Sequence, residues 1–287
     1  MNARIEPDVL ATPDCLSVSG VTVRLMDKVL IRSVSAEFFA GQVTAILGPN
    51  GAGKSTLMSV LTGQRRPDAG QVLQSKKPLS GHLPAELARV RAWVAQETQV
   101  AFDFTVREVV ELGRYPHVRH PSPHEPCIVP EAMQATAVDH LAHRALGTLS
   151  GGEKARVHLA RALAQVWEPI MFSDGREATR WLLLDEPTAA LDLQYQHRML
   201  ALARRWADHR GVGVVAVLHD LNLALRYADR CVLLCDGDVV ASGETAAVLS
   251  SPTVAEVWGV QATPATAPGS GGVLQYVYAL RNPLQSK

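Results

Sequence analysis

The sequence predicts an α/β protein built on a mainly parallel sheet. Three observations carry that prediction. The runs "VTAIL" (43–47), "WLLL" (181–184) and "VGVVAVL" (212–218) are apolar throughout rather than alternating, the mark of strands covered on both faces. Segments of helical periodicity separate them, as crossovers between parallel strands require. The first run opens into "GPNGAGKST" (48–56), a glycine-rich turn that leads into a helix and places a phosphate-binding loop at a strand end.

The elements follow in order. "LSVSGVTVRL" and "VLIRSVSAEF" read as short strands with turns ahead of the buried strand 43–47. "KSTLMSVLTG" continues as a helix that stops at Gly63. A helix and a strand follow over 85–95. From about 105 to 165 the periodicity is mostly helical, broken by "YPHVRHPSPHEPCIVP". Its five prolines exclude one continuous helix. After the strands at 181 and 212 comes a helix to about Ala228, then the strand "RCVLLC". The tail beyond Val260 is rich in Ala, Thr, Pro and Gly and ends in the strand-like "VLQYVYAL"; it shows no chemistry. No internal repeat is present.

Composition narrows the function. The 287 residues suffice for one large domain or two modest ones, and 47% hydrophobic content can fill a core. Lys plus Arg is 28 and Asp plus Glu is 28, so no basic footprint for nucleic acid is present. The four cysteines, Cys15, Cys127, Cys231 and Cys235, are scattered, which fits a reducing compartment. Cys231 and Cys235 read as buried free thiols on one strand. "MNARIEPDVL" lacks a signal-peptide core, and no stretch approaches the roughly 18 apolar residues of a membrane span. The expectation is a soluble chain, or one held at a membrane by another protein.

"GPNGAGKST" fits G-x-x-x-x-G-K-[ST] through Gly48, Gly53, Lys54 and Ser55. Glycines let successive N–H groups point at an anion, and the helix behind adds its positive dipole end. Lys54 suits the β- and γ-phosphates, and the Ser55 hydroxyl suits Mg²⁺. "WLLLDEP" puts Asp185 at a strand end and Glu186 just beyond. In a parallel sheet such ends converge on the ligand crevice. Asp185 suits Mg²⁺, and Glu186 suits deprotonation of a water attacking the γ-phosphate. "LSGGE" (149–153) is a second glycine-bearing helix start, about a hundred residues after the first, and by itself says little.

"GPNGAGKST", "LSGGE", "LLLDEPTAALD" and "VLHDLN" occur in this order, and together they resemble the ATP-binding subunit of ATP-binding cassette (ABC) transporters over roughly residues 14–260. The resemblance implies a P-loop NTPase (RecA-like) ABC ATPase core with an antiparallel β subdomain and an inserted α-helical subdomain at about 97–165. Residues 1–13 would be an N-terminal extension and 261–287 a C-terminal tail. It implies ATP and Mg²⁺ as cofactors. Nucleotide contacts fall on Gly48, Pro49, Asn50, Gly51, Ala52, Gly53, Lys54, Ser55 and Thr56. Two copies pair head to tail, so Ser150, Gly151, Gly152 and Asp192 of one copy close on the nucleotide of the other. Glu186, His219 and Gln96 are the implied catalytic residues, and Ser55, Gln96 and Asp185 the implied metal ligands. A lone glutamine is ordinarily surface filler and a lone histidine ordinarily structural; those two roles rest on the resemblance, helped for His219 by its place after an apolar strand.

Two positions depart from the family pattern. The fifth signature residue, commonly glutamine, is Glu153. The aromatic that stacks on adenine should fall near Arg24 or Leu25, and none is there. An arginine plane can replace part of such stacking.

With no span of its own, the chain implies a separate integral-membrane permease dimer, docked on the 97–165 stretch. The location implied is peripheral, on the cytoplasmic face of the inner membrane. "FDFTVREVVELGRYPH" and "HDLNLALRYADR" resemble importers for iron chelates, haem and cobalamin. The insert "QVWEPIMFSDGREATRW" points to the haemin importers among them, with a periplasmic haemin-binding protein reached through the permease. A ferric-siderophore or cobalamin importer is the alternative within the group. A repair or translation ABC ATPase would carry long coiled coils or two fused cassettes, and a small-molecule P-loop kinase would not need "LSGGE" or "AALD". His117, His120 and His124 fit no zinc spacing.

Overall fold

A computed structural model describes residues 14–95, 103–171, 177–266 and 274–280. The chain opens with two long antiparallel strands, β1 (Cys15–Leu25) and β2 (Lys28–Phe39), then β3 (Val43–Leu47). The phosphate loop leads into α1 (Lys54–Leu61). Next come β4 (Ala69–Gln74), β5 (Lys77–Pro78), α2 (Pro84–Val90) and β6 (Arg91–Val94). The helical stretch holds α3 (Val106–Glu111), a 3₁₀ turn (Leu112–His117), α4 (Glu125–Ala135) and α5 (Gly151–Gln165). A short hairpin, β7 (Ile170–Met171) and β8 (Glu177–Ala178), precedes β9 (Trp181–Leu184). The chain continues through α6 (Leu193–Arg210), β10 (Gly213–Val217), α7 (Leu221–Tyr227), β11 (Arg230–Cys235) and β12 (Asp238–Glu244). It closes with α8 (Thr245–Val248), α9 (Ser251–Trp258), β13 (Val260–Thr266) and β14 (Leu274–Leu280).

The central sheet runs β12-β11-β3-β10-β9-β6, with β12 antiparallel and the other pairs parallel. The apolar runs explain why it is buried on both sides. Side chains alternate across a strand, so Leu182 and Leu184 of β9 enter one core while Trp181 and Leu183 enter the other. Val214 and Ala216 of β10 oppose Val215 and Val217 in the same way. One core is closed by α1 and by the antiparallel sheet β2-β1-β4-β5. The other is closed by α3, α4, α5, α6 and α7.

The proline-rich stretch breaks as its composition demands, although α4 begins within it. Pro126 occupies the first turn, where its missing N–H costs nothing, and Pro130 sits one turn on. The break itself is held by Arg114, which donates to both carboxylate oxygens of Glu125 and to the Ala164 carbonyl. His117 is buried and donates from Nε2 to the Gln165 carbonyl at 2.8 Å, so its ring has a structural partner. Among the described residues no three His, Cys, Asp or Glu side chains gather in a metal-holding group. The thiol pair needs a correction. Cys231 is buried, its thiol pushed up to about 12 chiefly by burial. Cys235 sits at the strand end, only half-buried, because the chain turns outward there at Asp236.

Candidate nucleotide-binding site

Four loops of the predicted chemistry leave the carboxyl ends of four adjacent parallel strands. β3 ends in the phosphate loop, β10 leads to His219, β9 leads to Asp185, and β6 leads toward Gln96. This is the crevice edge of an open α/β sheet. Gln96 itself lies outside the described residues.

The phosphate loop is shaped by close approach. A Cβ on Gly48 would stand 2.1 Å from the Leu234 carbonyl oxygen of β11. Gly53 has φ +99°, and a Cβ there would meet Ile31 Cγ2 at 2.5 Å. Only glycine lets the loop press between β2 and β11 while turning its amides outward. Lys54 begins α1 and folds back, donating from Nζ to the Gly48 and Pro49 carbonyls at 2.9 Å each. The lysine is 5% exposed. Burial pushes its ammonium below the ordinary range, and the charges of Glu186 and Asp185 oppose that shift. Asn50, Gly51 and Ser55 are exposed, while Ala52 is buried.

Asp185 follows β9, its amide bonded to the Val94 carbonyl at 2.9 Å. Asp185 is 8% exposed, and its carboxyl is raised to about 6, first by burial, then by the charge of Glu186, against the pull of His219 and Lys54. Its Oδ1 is buried with no hydrogen-bond partner. An acceptor oxygen desolvated and unmatched beside a phosphate loop fits a hard divalent cation, so the residues present suit Mg²⁺.

Glu186 departs from ordinary backbone geometry, with φ +49°. A non-glycine residue in that region is disfavoured by about 1–3 kcal/mol, and such residues cluster at active sites. The twist leads to a contact: His219 Nε2 and Glu186 Oε1 lie 2.8 Å apart. His219 is reached because Leu218 extends β10 past its ladder by donating to the Ile46 carbonyl at 3.1 Å. Lys54, Asp185, Glu186 and His219 are thus brought together.

The second glycine motif is built separately. Ser150 caps α5, accepting from the Glu153 amide, while the Ser150 amide and hydroxyl both donate to Glu153 Oε2 at 2.8 Å. Those bonds hold the Glu153 carboxyl below its usual range. The family departure at this position therefore completes a reciprocal cap. Gly152 sits against the 189–192 loop, where a Cβ would meet the Ala190 carbonyl oxygen at 3.2 Å. Asp192 caps α6 through the Tyr195 amide, and Gln196 ties the loop by donating to the Thr188 and Leu191 carbonyls. Among the described residues no hydrogen bond joins Ser150, Gly151 or Gly152 to the phosphate loop of the same chain. At the expected base platform, Leu25 and Met26 form the exposed tip of the β1–β2 hairpin. Sequence reasoning missed the strained φ of Glu186 and the Gln196 tether, neither of which has a composition signal. The reciprocal Ser150–Glu153 cap was missed too, although Ser-x-x-Glu ahead of a helix is its signal.

A phosphate loop, a buried carboxylate and a strained Glu–His pair at one crevice edge define a P-loop nucleotide-binding α/β protein. Known proteins narrow this further. The ABC transporter family model matches residues 31–189. The chain is 48% identical over 247 residues to the hemin import ATP-binding protein HmuV of Gloeobacter violaceus, covering 86% of this chain and 88% of that one. It is 41% identical over 248 residues to the protein of the same name from Escherichia coli O157:H7, covering 86% and 93%. Among solved structures it resembles the dimeric structure of a bacterial ABC transporter cassette, with TM-score 0.69, 25% identity, and 80% and 98% coverage. The chain belongs to the ABC transporter ATP-binding family.

Proposed function

We propose that this chain is the ATP-hydrolysing subunit that energises haemin import across the cytoplasmic membrane. Two copies pair head to tail with ATP at the seam. They act on the cytoplasmic face of a separate permease dimer, which takes haemin from a periplasmic binding protein. The observation that carries ATP hydrolysis is the Glu186–His219 contact at the crevice edge that also holds Lys54 and Asp185. The HmuV-named relatives support the cargo. Among the described residues no helix is long and apolar enough to cross a membrane, which supports a permease on another chain.

The residues divide the work. The loop amides of 48–56 and the Lys54 ammonium hold the β- and γ-phosphates. Ser55, Asp185 and Gln96 would hold Mg²⁺, which would supply neutralisation of the phosphate charge. Glu186 accepts the proton of the attacking water, and His219 orients that carboxylate and contacts the γ-phosphate. Ser150, Gly151, Gly152 and Asp192 complete the site of the partner copy. A cleft of about 910 Å³ between the core and α5, lined by Arg65, Arg66, Arg91, Trp93, Arg161 and Gln165, offers the permease a cationic seat. Leu112, Tyr115 and Val118 add an exposed apolar stripe at the 3₁₀ turn, whose threefold repeat puts them on one face.

Deleting the chain from its own host tests the cargo. Uptake of labelled haemin should fall to the level of a strain lacking the permease, with cobalamin and ferric-siderophore uptake unchanged. Normal haemin uptake with loss of either other cargo would overturn the haemin reading in favour of that importer.

A further inference from the structure

The hairpin of β13 and β14 lies beyond the matched family region, and no chemistry is predicted for it. In the structure it grips the helix that begins directly after His219. The Asn222 side chain of α7 pairs with the backbone of Tyr276 twice. The Tyr276 amide donates to Asn222 Oδ1 at 2.7 Å, and Asn222 Nδ2 donates to the Tyr276 carbonyl at 3.2 Å. The Tyr276 ring is buried, and its hydroxyl donates to the Leu249 carbonyl at 2.6 Å. This fixes the strand to the segment between α8 and α9. Tyr278 packs its ring 6.3 Å from that of Tyr276. Strand β14 packs against α7. Asp220 in turn caps α7, accepting from the Asn222 and Leu223 amides.

His219 therefore hangs between two anchors. On one side Leu218 is bonded to β3 through the Ile46 carbonyl. On the other, Asp220 and Asn222 are held by the cap and by β14. We propose that the C-terminal hairpin is a brace for the catalytic loop, and that Asn222 is a positioning residue that sets where His219 meets Glu186 and the γ-phosphate. α7 is seven residues long, too short to hold its own start in place without tertiary contacts. Its first turn is fixed by the polar pair to Tyr276. Without that pair, Asp220 and His219 can shift together, and a misplacement of about 1 Å can cost a hundredfold in rate. Nothing in this grip touches the phosphate loop, so nucleotide affinity is spared.

The inference rests on His219 and Glu186 serving hydrolysis, and the experiment separates the two. Four full-length forms are compared: Asn222→Ala, Asn222→Asp, His219→Ala and the double variant Asn222→Ala with His219→Ala. Steady-state hydrolysis, affinity for a non-hydrolysable ATP analogue and thermal unfolding are measured on each. Asn222→Ala should lower kcat about tenfold to a hundredfold while KM and analogue affinity stay within about twofold. Asn222→Asp puts a carboxylate oxygen in place of Nδ2, against the Tyr276 carbonyl, and should lower kcat as well. In the His219→Ala background, Asn222→Ala should cost nothing further, because a positioning residue has nothing left to position. A normal kcat in Asn222→Ala beside a slow His219→Ala overturns the brace alone, and so does a full further loss in the double variant. A normal rate in His219→Ala overturns the site assignment and the brace with it. If Asn222→Ala does not fold, Asn222→Asp and Tyr276→Phe carry the test. Tyr276→Phe loosens the hairpin through its hydroxyl, and an unchanged kcat in both overturns the proposal.

Discussion

Burial holds the proton on the Asp185 carboxyl to about pH 6, well above the ordinary aspartate value of 3.8. That shift has a sign for stability. Between about pH 4 and 6 the folded state keeps a proton that the unfolded chain has lost. Stability therefore falls as pH rises through that window, and the loss is complete above it. The difference corresponds to about 1–3 kcal/mol. Asp185→Asn removes the ionisation. Denaturant unfolding of the nucleotide-free protein without Mg²⁺ should show wild type and variant close together at pH 4. By pH 7 the variant should be the more stable by that amount. A separation that does not widen with pH would mean that Asp185 is not held in its acid form by the fold. Glu186 shows the same logic in backbone form. Its left-handed φ is unfavourable by itself and is maintained where it brings the carboxylate to His219.

The start of α5 shows how an element can be complete in its own chain and still offer a surface. Ser150 and Glu153 satisfy each other. A Cβ at Gly151 would meet nothing nearer than Ala190 Cβ at 3.7 Å. Gly151→Asp therefore fits the single chain, and an acidic residue in a helix's first turn is favoured by the dipole. The variant should fold and bind ATP like wild type, since the phosphate loop is untouched. It should fail to hydrolyse, because its carboxylate meets the partner's γ-phosphate. Nucleotide titration and phosphate release measure the two halves. Normal hydrolysis would refute the head-to-tail role, and lost ATP binding by the monomer would place the motif at its own nucleotide. The Ser-x-x-Glu spacing carries this cap in the sequence, where the stretch reads first as a glycine-bearing helix start. The Asn222–Tyr276 grip has no such signal, because its partners are 54 residues apart and half of it is backbone.

At the scale of the whole molecule, the parallel sheet was legible because continuous apolar runs have one economical solution, burial on both faces. The strand order β12-β11-β3-β10-β9-β6 was not, because apolar runs do not record which neighbour they meet across long crossovers. The candidate site was legible at the strand ends, where loop chemistry follows an apolar run, and illegible in the strain at Glu186. Its last consequence concerns two copies together. Glutamine at 186 keeps the carboxylate's shape and removes its basicity, while the Lys54 loop and the Ser150 cap are unaltered. General-base loss lowers rates by about 10² to 10⁴, so Glu186→Gln should bind ATP, turn over very slowly and accumulate as a closed pair. Light scattering on a sizing column, with Mg²⁺ and with or without ATP, reads the mass directly. It should also be run on the chain bound to its permease, where weak pairing is reinforced by effective concentration. Near wild-type turnover would take Glu186 out of the mechanism. A slow variant that never pairs, even on the permease, would leave Glu186 as the base and remove ATP as the bond between the two copies.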